Sequence, residues 1–448
     1  MENLYALDPT DVREPPQKLK DKLKELGPGF ILSAAIVGSG ELIATTTLGA
    51  KAGFVAFWVI LVSCLVKVTL QMEFGKHAIY SGQTIMSAFN QLPGPRWGKA
   101  NWSIWTWLFI QLFKLLQVGG IVGGVGIALN MIFPVIGVWI WVILAAMGAS
   151  LLVYRGKYQT IEKMALTMIA LFTAMTFVSL FSLQFTDYAL SWDNIKEGLS
   201  FSLPAGVVGF ALAAFGITGV GGDEIMYYNY WCLEKGYARH TGPYENTEAW
   251  NRRARGWISV MYLDALLSMV LYTLVTAAFY LLGAAILYGK GQIPEGYETI
   301  STLSQIYTET LGPWATTMYL IGALVALFST VFAALASWTR IFSDAFWQLG
   351  WINFDDPAVR KRSIAIMAWV FPALWAILYL FIKLPVIMIL IGGFSTSILL
   401  LVVVFAAYRF RYFRLPESLK PTGMYDVCLW LSIVAILGVG VYSVAQIL

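Results

Sequence analysis

The chain has 448 residues, 58% of them hydrophobic and only 12% charged, with a formal net charge of +4 at neutral pH. A water-soluble domain carries about 25% charged residues, so this chain cannot dress a normal polar surface. Apolar stretches long enough to cross a bilayer recur along its length, which makes it a polytopic membrane protein. The three cysteines, Cys64, Cys232 and Cys428, stand alone, and the two histidines, His77 and His240, are far apart. Neither a disulfide framework nor a zinc spacing follows from them. No nucleophile–base pair, metal triad or cofactor fingerprint is visible, so neither an enzyme nor a bound cofactor is expected, and no nucleic-acid partner.

Residues 1–26 are polar and charged, with Pro15 and Pro16, and read as a cytoplasmic tail, an amphipathic or loosely ordered lead-in without a cleavable leader. Eleven candidate spans follow, at about 28–50, 52–78, 102–132, 135–154, 158–182, 203–231, 256–288, 313–345, 362–381, 384–408 and 424–447. The first contains Gly38-Ser39-Gly40-Glu41, and the sixth contains Gly219-Val220-Gly221-Gly222-Asp223-Glu224. Glycine in a helix interior costs about 1 kcal/mol, so two so close invite a break. A carboxylate at membrane depth is expensive unless partnered. Two interrupted spans at corresponding positions of two halves point to a transporter substrate site.

With the N-terminus placed in the cytoplasm, 24 of the 30 lysines and arginines fall in inner segments, 4 in outer ones and 2, Lys67 and Lys114, inside spans. That asymmetry supports eleven crossings and puts the C-terminus outside the cell membrane. Spans one to five overlay spans six to ten, and an odd number per half inverts the second. The expected fold is therefore all-α and LeuT-type, a 5+5 inverted repeat with broken first and sixth spans plus an eleventh span. The domain reading is 1–26 tail, 27–185 first repeat, 186–410 second repeat and 411–448 eleventh span.

Gly27-Pro28-Gly29-Phe30, the run Gly53-Phe54-Val55-Ala56-Phe57-Trp58, Leu70-Gln71 and Ile127-Ala128-Leu129-Asn130 resemble the first three spans of the Nramp divalent-metal transporters. The resemblance places that family's first-span DPGN motif on Gly38-Ser39-Gly40-Glu41 and its sixth-span MPHN motif on Gly221-Gly222-Asp223-Glu224. It implies a metal site formed by Glu41, Asp223, Glu224, the Gly38 and Gly221 positions and a backbone carbonyl near Thr218. The chain departs from the motifs by losing the Asp and the Met. Carboxylates and carbonyls without a thioether suit hard ions, and Mg²⁺ keeps several waters, so a wide site expects Mg²⁺ first and Mn²⁺ second. The family's acidic third-span pair falls on Val118 and Ile121, and its second sixth-span His near Tyr228, so proton coupling is expected to be altered or absent. A tenth-span Gln has no counterpart; Ser395, Thr396 and Ser397 offer hydroxyls instead.

Each singled-out residue has a plainer reading. Glu41, Asp223 and Glu224 follow glycine and could simply cap a second half-helix. Lys67 and Lys114 form a buried ion pair with Glu73, Glu41 or Asp223, or act as resident cations that stand in for a coupling ion. Asp264 is a proton-route remnant or bonds hydroxyls such as Ser268. His240 is solvated, and Gly119-Gly120 and Gly123-Gly124 are close helix contacts. The alternatives to a divalent-cation carrier are a LeuT-type transporter of a small organic or amine substrate and a non-transporting sensor. The expected surroundings are the lipid bilayer; the sequence leaves the oligomeric state open and is compatible with a monomer.

Overall fold

The computed structural model describes residues 5–155, 158–293 and 299–445. Among the described residues, eight helices are long and apolar enough to cross a membrane, including Phe57–Ser81, Trp102–Ile132, Glu248–Tyr288 and Ala315–Gln348. Two shorter apolar helices, Val138–Val153 and Gly423–Val439, occupy the fourth and eleventh expected spans. The first span runs from Pro28 to Ala52. All eleven expected segments are therefore helical, and the remaining regular structure is small: a two-residue hairpin pairing Arg96–Trp97 with Ala100–Asn101, and short connecting helices.

Glycine lets the helices approach closely. The third span, Trp102–Ile132, packs its glycine face on the eighth, ninth and tenth spans. A Cβ on Gly120 would lie 2.8 Å from the Pro385 carbonyl and 3.1 Å from Met388, and one on Gly123 would enter the ring of Tyr379. Small residues do this work in membranes because apolar side chains gain nothing by leaving lipid for one another.

The two interruptions differ in form. In the first span, α-helix over Pro28–Ile36 passes into a π-helix over Val37–Thr45 and back to α-helix over Thr46–Ala52, so the chain widens rather than unwinds. The π winding shifts the hydrogen-bond register without exposing a run of bare amides. Gly38 lies against the Ala326 carbonyl and Thr330 of the eighth span, where any side chain would collide. The side chain of Glu41 lies outside the described residues. In the sixth span the break is complete: a leading half-helix, Val208–Ile217, and a trailing one, Gly222–Lys235, are joined by non-helical backbone.

From Tyr5 onward the N-terminal tail is not loose. It is an ordered strap across one end of the bundle. Tyr5 donates to Glu234 Oε1 at 2.6 Å, and Leu7 packs on Gly82. The Arg13 amide donates to the His240 carbonyl at 2.9 Å, and Trp257 Nε1 donates to the Arg13 carbonyl at 3.0 Å. Tyr237 and Lys235 hold the Glu25 and Leu26 carbonyls at 2.7 and 2.9 Å. His240 is accordingly half-buried beside Trp257, not freely solvated. Burial, with the Arg13 and Arg239 charges nearby, pushes its pKa down to about 4. Beneath the strap, Glu234 accepts from Arg340 Nε and Nη2 at 2.6 and 2.9 Å, a forked pair with both side chains buried.

Candidate functional site at the broken sixth span

The sixth-span break follows from local sequence. Ala211–Ile217 is apolar and helical, but Thr218 turns to extended backbone and Gly219 takes φ +63°, a conformation that favours glycine. Gly221, extended, then starts the trailing half-helix without a side-chain cap. Two kinds of orphan group result. Carbonyls end the leading half-helix, with the negative end of its dipole, and amides begin the trailing half-helix, with the positive end.

The carbonyl end is occupied by Lys67 of the second span. Its fully buried ammonium donates to Thr218 O at 2.9 Å, to Phe215 O, and to Ser63 Oγ at 2.9 Å. Ser63 Oγ lies 3.0 and 3.1 Å from the same Phe215 and Thr218 oxygens. Glu73, a partner considered for Lys67, is held instead by Lys76 at 2.5 Å.

At the other end, Asp223 and Glu224 stand in the first turn of the trailing half-helix. The third span meets Asp223 with a polar face: Trp107, Gln111, Lys114 and Gln117 recur at helical spacing in an otherwise apolar helix. Trp107 Nε1 and Gln111 Nε2 donate to Asp223 Oδ1 at 3.1 and 2.8 Å. Lys114 Nζ is 3.4 Å from Asp223 Oδ2 and donates at 3.0 Å to Thr396 Oγ1 of the tenth span. Asp223 Oδ2, Gln111 Oε1 and Gln117 Oε1 are buried and receive no hydrogen bond from the described residues. Glu224 is partly exposed, and its Oε2 folds over Gly221, which has no side chain to block it. This region thus gathers two carboxylates, the bare amide oxygen of Gln111 and two ammonium groups, while the Gln117 side chain lies against Gly392 of the tenth span.

Asp264 is elsewhere. Its oxygens accept from the Gly27 and Gly29 amides at 2.8 and 2.6 Å and from the Tyr228 hydroxyl at 2.9 Å. It caps the start of the first span, while Ser268 donates to the Ala265 carbonyl. Gly38 is a packing position in the first span, so of the expected set the structure gathers Thr218, Gly221, Asp223, Glu224, Lys67 and Lys114 around one break. Among the described residues no three His, Cys, Asp or Glu side chains converge tightly enough to hold a metal by themselves. A groove of 670 Å³ between the third, sixth and tenth spans, lined by Phe109, Phe113, Phe210 and Phe394, is almost wholly apolar and has no carboxylate in its lining. Trp107, Gln111, Gln117 and Ser63 were not singled out by motif. Their spacing with Lys114 on one helical face, and the Ser63–Lys67 step of one turn, were the available signals.

Residues 29–446 match the family model described as natural resistance-associated macrophage protein-like. The Divalent metal cation transporter MntH of Bacillus subtilis is 24% identical over 76% of this chain and 74% of its own length. Its namesake from Mycobacterium leprae is 27% identical over 69% and 68%. Among solved structures, an Eremococcus coleocola manganese transporter mutant superposes with TM-score 0.72 at 15% identity, over 98% of this chain and 91% of that one. The nucleobase-cation-symport-1 family transporter Mhp1 superposes with TM-score 0.59 at 13% identity, over 98% and 95%. These likenesses establish the LeuT-type fold.

Proposed function

Since the chain belongs to the natural resistance-associated macrophage protein-like family, we propose that it is a secondary membrane transporter of a hard divalent cation, Mg²⁺ first and Mn²⁺ second, with proton coupling altered or absent. The observation that carries this reading is a pair of buried oxygens that receive no hydrogen bond from the described residues, Gln111 Oε1 and Asp223 Oδ2, the latter faced by the Lys114 ammonium at 3.4 Å, beside Glu224 at the sixth-span break. Oxygen-only donors suit hard ions, and one or two carboxylates with retained water are what Mg²⁺ accepts. Relatives named as divalent metal cation transporters support the charge of the cargo. The absence of acids at Val118 and Ile121 and the placing of Asp264 as a helix cap support altered coupling. The lysine and arginine asymmetry favours a cytoplasmic N-terminus and an outer C-terminus.

The test is uptake of Mg²⁺ and Mn²⁺ into proteoliposomes, with internal pH recorded alongside. Flux without accompanying acidification, abolished in Asp223→Ala and Glu41→Ala, is the expected result. No flux of either ion in wild type ends the proposal. A second reading is an amine substrate, favoured by the two ammonium groups already at the break, Lys67 on the Thr218 carbonyl and Lys114 beside Asp223. Stimulation by amines with no response to divalent ions would select it.

A further inference from the structure

The carbonyl end of the sixth-span break already holds a positive charge. Thr218 O accepts from Lys67 Nζ at 2.9 Å and lies 3.1 Å from Ser63 Oγ, whose single proton is shared with Phe215 O at 3.0 Å, so the ammonium is the donor that holds it. Thr218 Oγ1 in turn donates to Ser63 Oγ at 2.8 Å, and the Lys67 ammonium lies 4.7 Å from the Phe215 ring centroid. Lys67 is thus fastened by several contacts to the half-helix end. Bare carbonyls at such ends are where broken-helix transporters coordinate cations. Lys114 is held more loosely on the opposite side, 3.4 Å from Asp223 Oδ2 with its hydrogen bond to Thr396. An arriving cation can therefore take Asp223 Oδ2 from Lys114 more easily than it can take Thr218 O from Lys67.

We propose that Lys67 is a specificity-determining residue. Its ammonium keeps the Thr218 carbonyl out of the transported ion's inner sphere. The ion is met by carboxylates and the Gln111 amide oxygen alone, keeps most of its water, and is selected by charge and hydration. The inference rests on the divalent-cation reading and adds to it the state in which the ion is held. It also gives a physical reason for a preference for Mg²⁺, the ion that surrenders water most reluctantly.

Two ions of equal charge separate this role from a structural one. Removing the lysine charge strengthens Mg²⁺ and Mn²⁺ binding alike, whereas freeing a carbonyl oxygen helps the ion that sheds water more readily. Calorimetric titration of the purified full-length protein with each ion is the experiment. In Lys67→Met the Mn²⁺-over-Mg²⁺ preference is expected to rise about tenfold or more, because one inner-sphere oxygen becomes available. Lys67→Gln, which keeps a donor on the carbonyl without the charge, tightens both ions and leaves the preference as in wild type. An unchanged preference in Lys67→Met overturns the proposal. If that variant does not fold, electron paramagnetic resonance of Mn²⁺ bound to wild type in ¹⁷O-water decides instead. About four or more retained waters are expected, and a largely dehydrated ion overturns the assignment. Wild type that binds neither ion overturns the transport reading itself, an outcome distinct from binding with unaltered preference.

Discussion

Asp264 lends itself to a quantitative prediction. It lies buried in the seventh span and satisfies the Gly27 and Gly29 amides, two of the orphan donors at the start of the first span. Pro28, between them, has no N–H to satisfy. Asp264→Ala leaves both amides buried without acceptors, at about 1–3 kcal/mol each, so a loss of about 2–6 kcal/mol is expected. Asp264→Asn keeps one accepting oxygen and turns an NH₂ toward the other donor, so about half that loss is expected. Thermal unfolding of the purified protein measures the totals, and hydrogen exchange at Gly27 and Gly29 locates them. If Asp264 were instead a proton carrier with no capping role, both variants would melt with wild type and exchange would not change. That result refutes the capping argument.

Other expectations follow from single contacts. Glu234→Gln leaves the Arg340 guanidinium buried beside a neutral partner and should cost about 3–5 kcal/mol, of which Glu234→Gln with Arg340→Met recovers a part in the same thermal assay. Gly219→Ala should cost about 1–2 kcal/mol, because φ +63° is unfavourable for alanine and its Cβ would sit 3.0 Å from the Cys64 Cα; an unchanged melting point counts against the break geometry. His240 has its pKa depressed to about 4, so it is neutral when the strap is docked. The undocked histidine protonates at about 6.5, so docking is at full strength above that value and weakens as pH falls toward 4. Protease sensitivity of the tail should rise over that window, and His240→Gln should flatten the rise.

Much of the fold was legible because membrane crossing writes itself into length and apolarity. Two neighbouring glycines also marked each interruption, but their form depended on the neighbours. Gly38 answers to the Ala326 carbonyl and Thr330, nearly 300 positions away, and no local rule distinguishes that close approach from an unwound site. Gly219, by contrast, has a positive φ, and its segment truly breaks. The carboxylates Asp223 and Glu224 could be placed at a helix start from spacing alone. Which lysine meets which acceptor could not, because in sequence Glu73 is an equally available partner for Lys67, and only the fold gives it to Lys76, one turn further on. Polar residues without a family motif, Gln111 and Gln117 above all, were hidden by the surrounding glycines and leucines. The tail looked loose because its charges suggested solvent, whereas its backbone carbonyls are what the bundle grips.

The strap has a consequence for the working cycle. It touches the ends of the sixth, seventh and ninth spans and continues into the first, so the first span cannot swing away from that end without peeling it off. Its docking energy is therefore a fixed weight on one side of the conformational balance. Each 1 kcal/mol added or removed shifts the ratio of closed to open molecules about fivefold. Whatever alters the tail, whether a binding partner, a fusion or a trimmed terminus, resets the resting state of the carrier from some distance, with no change at the ion's own position.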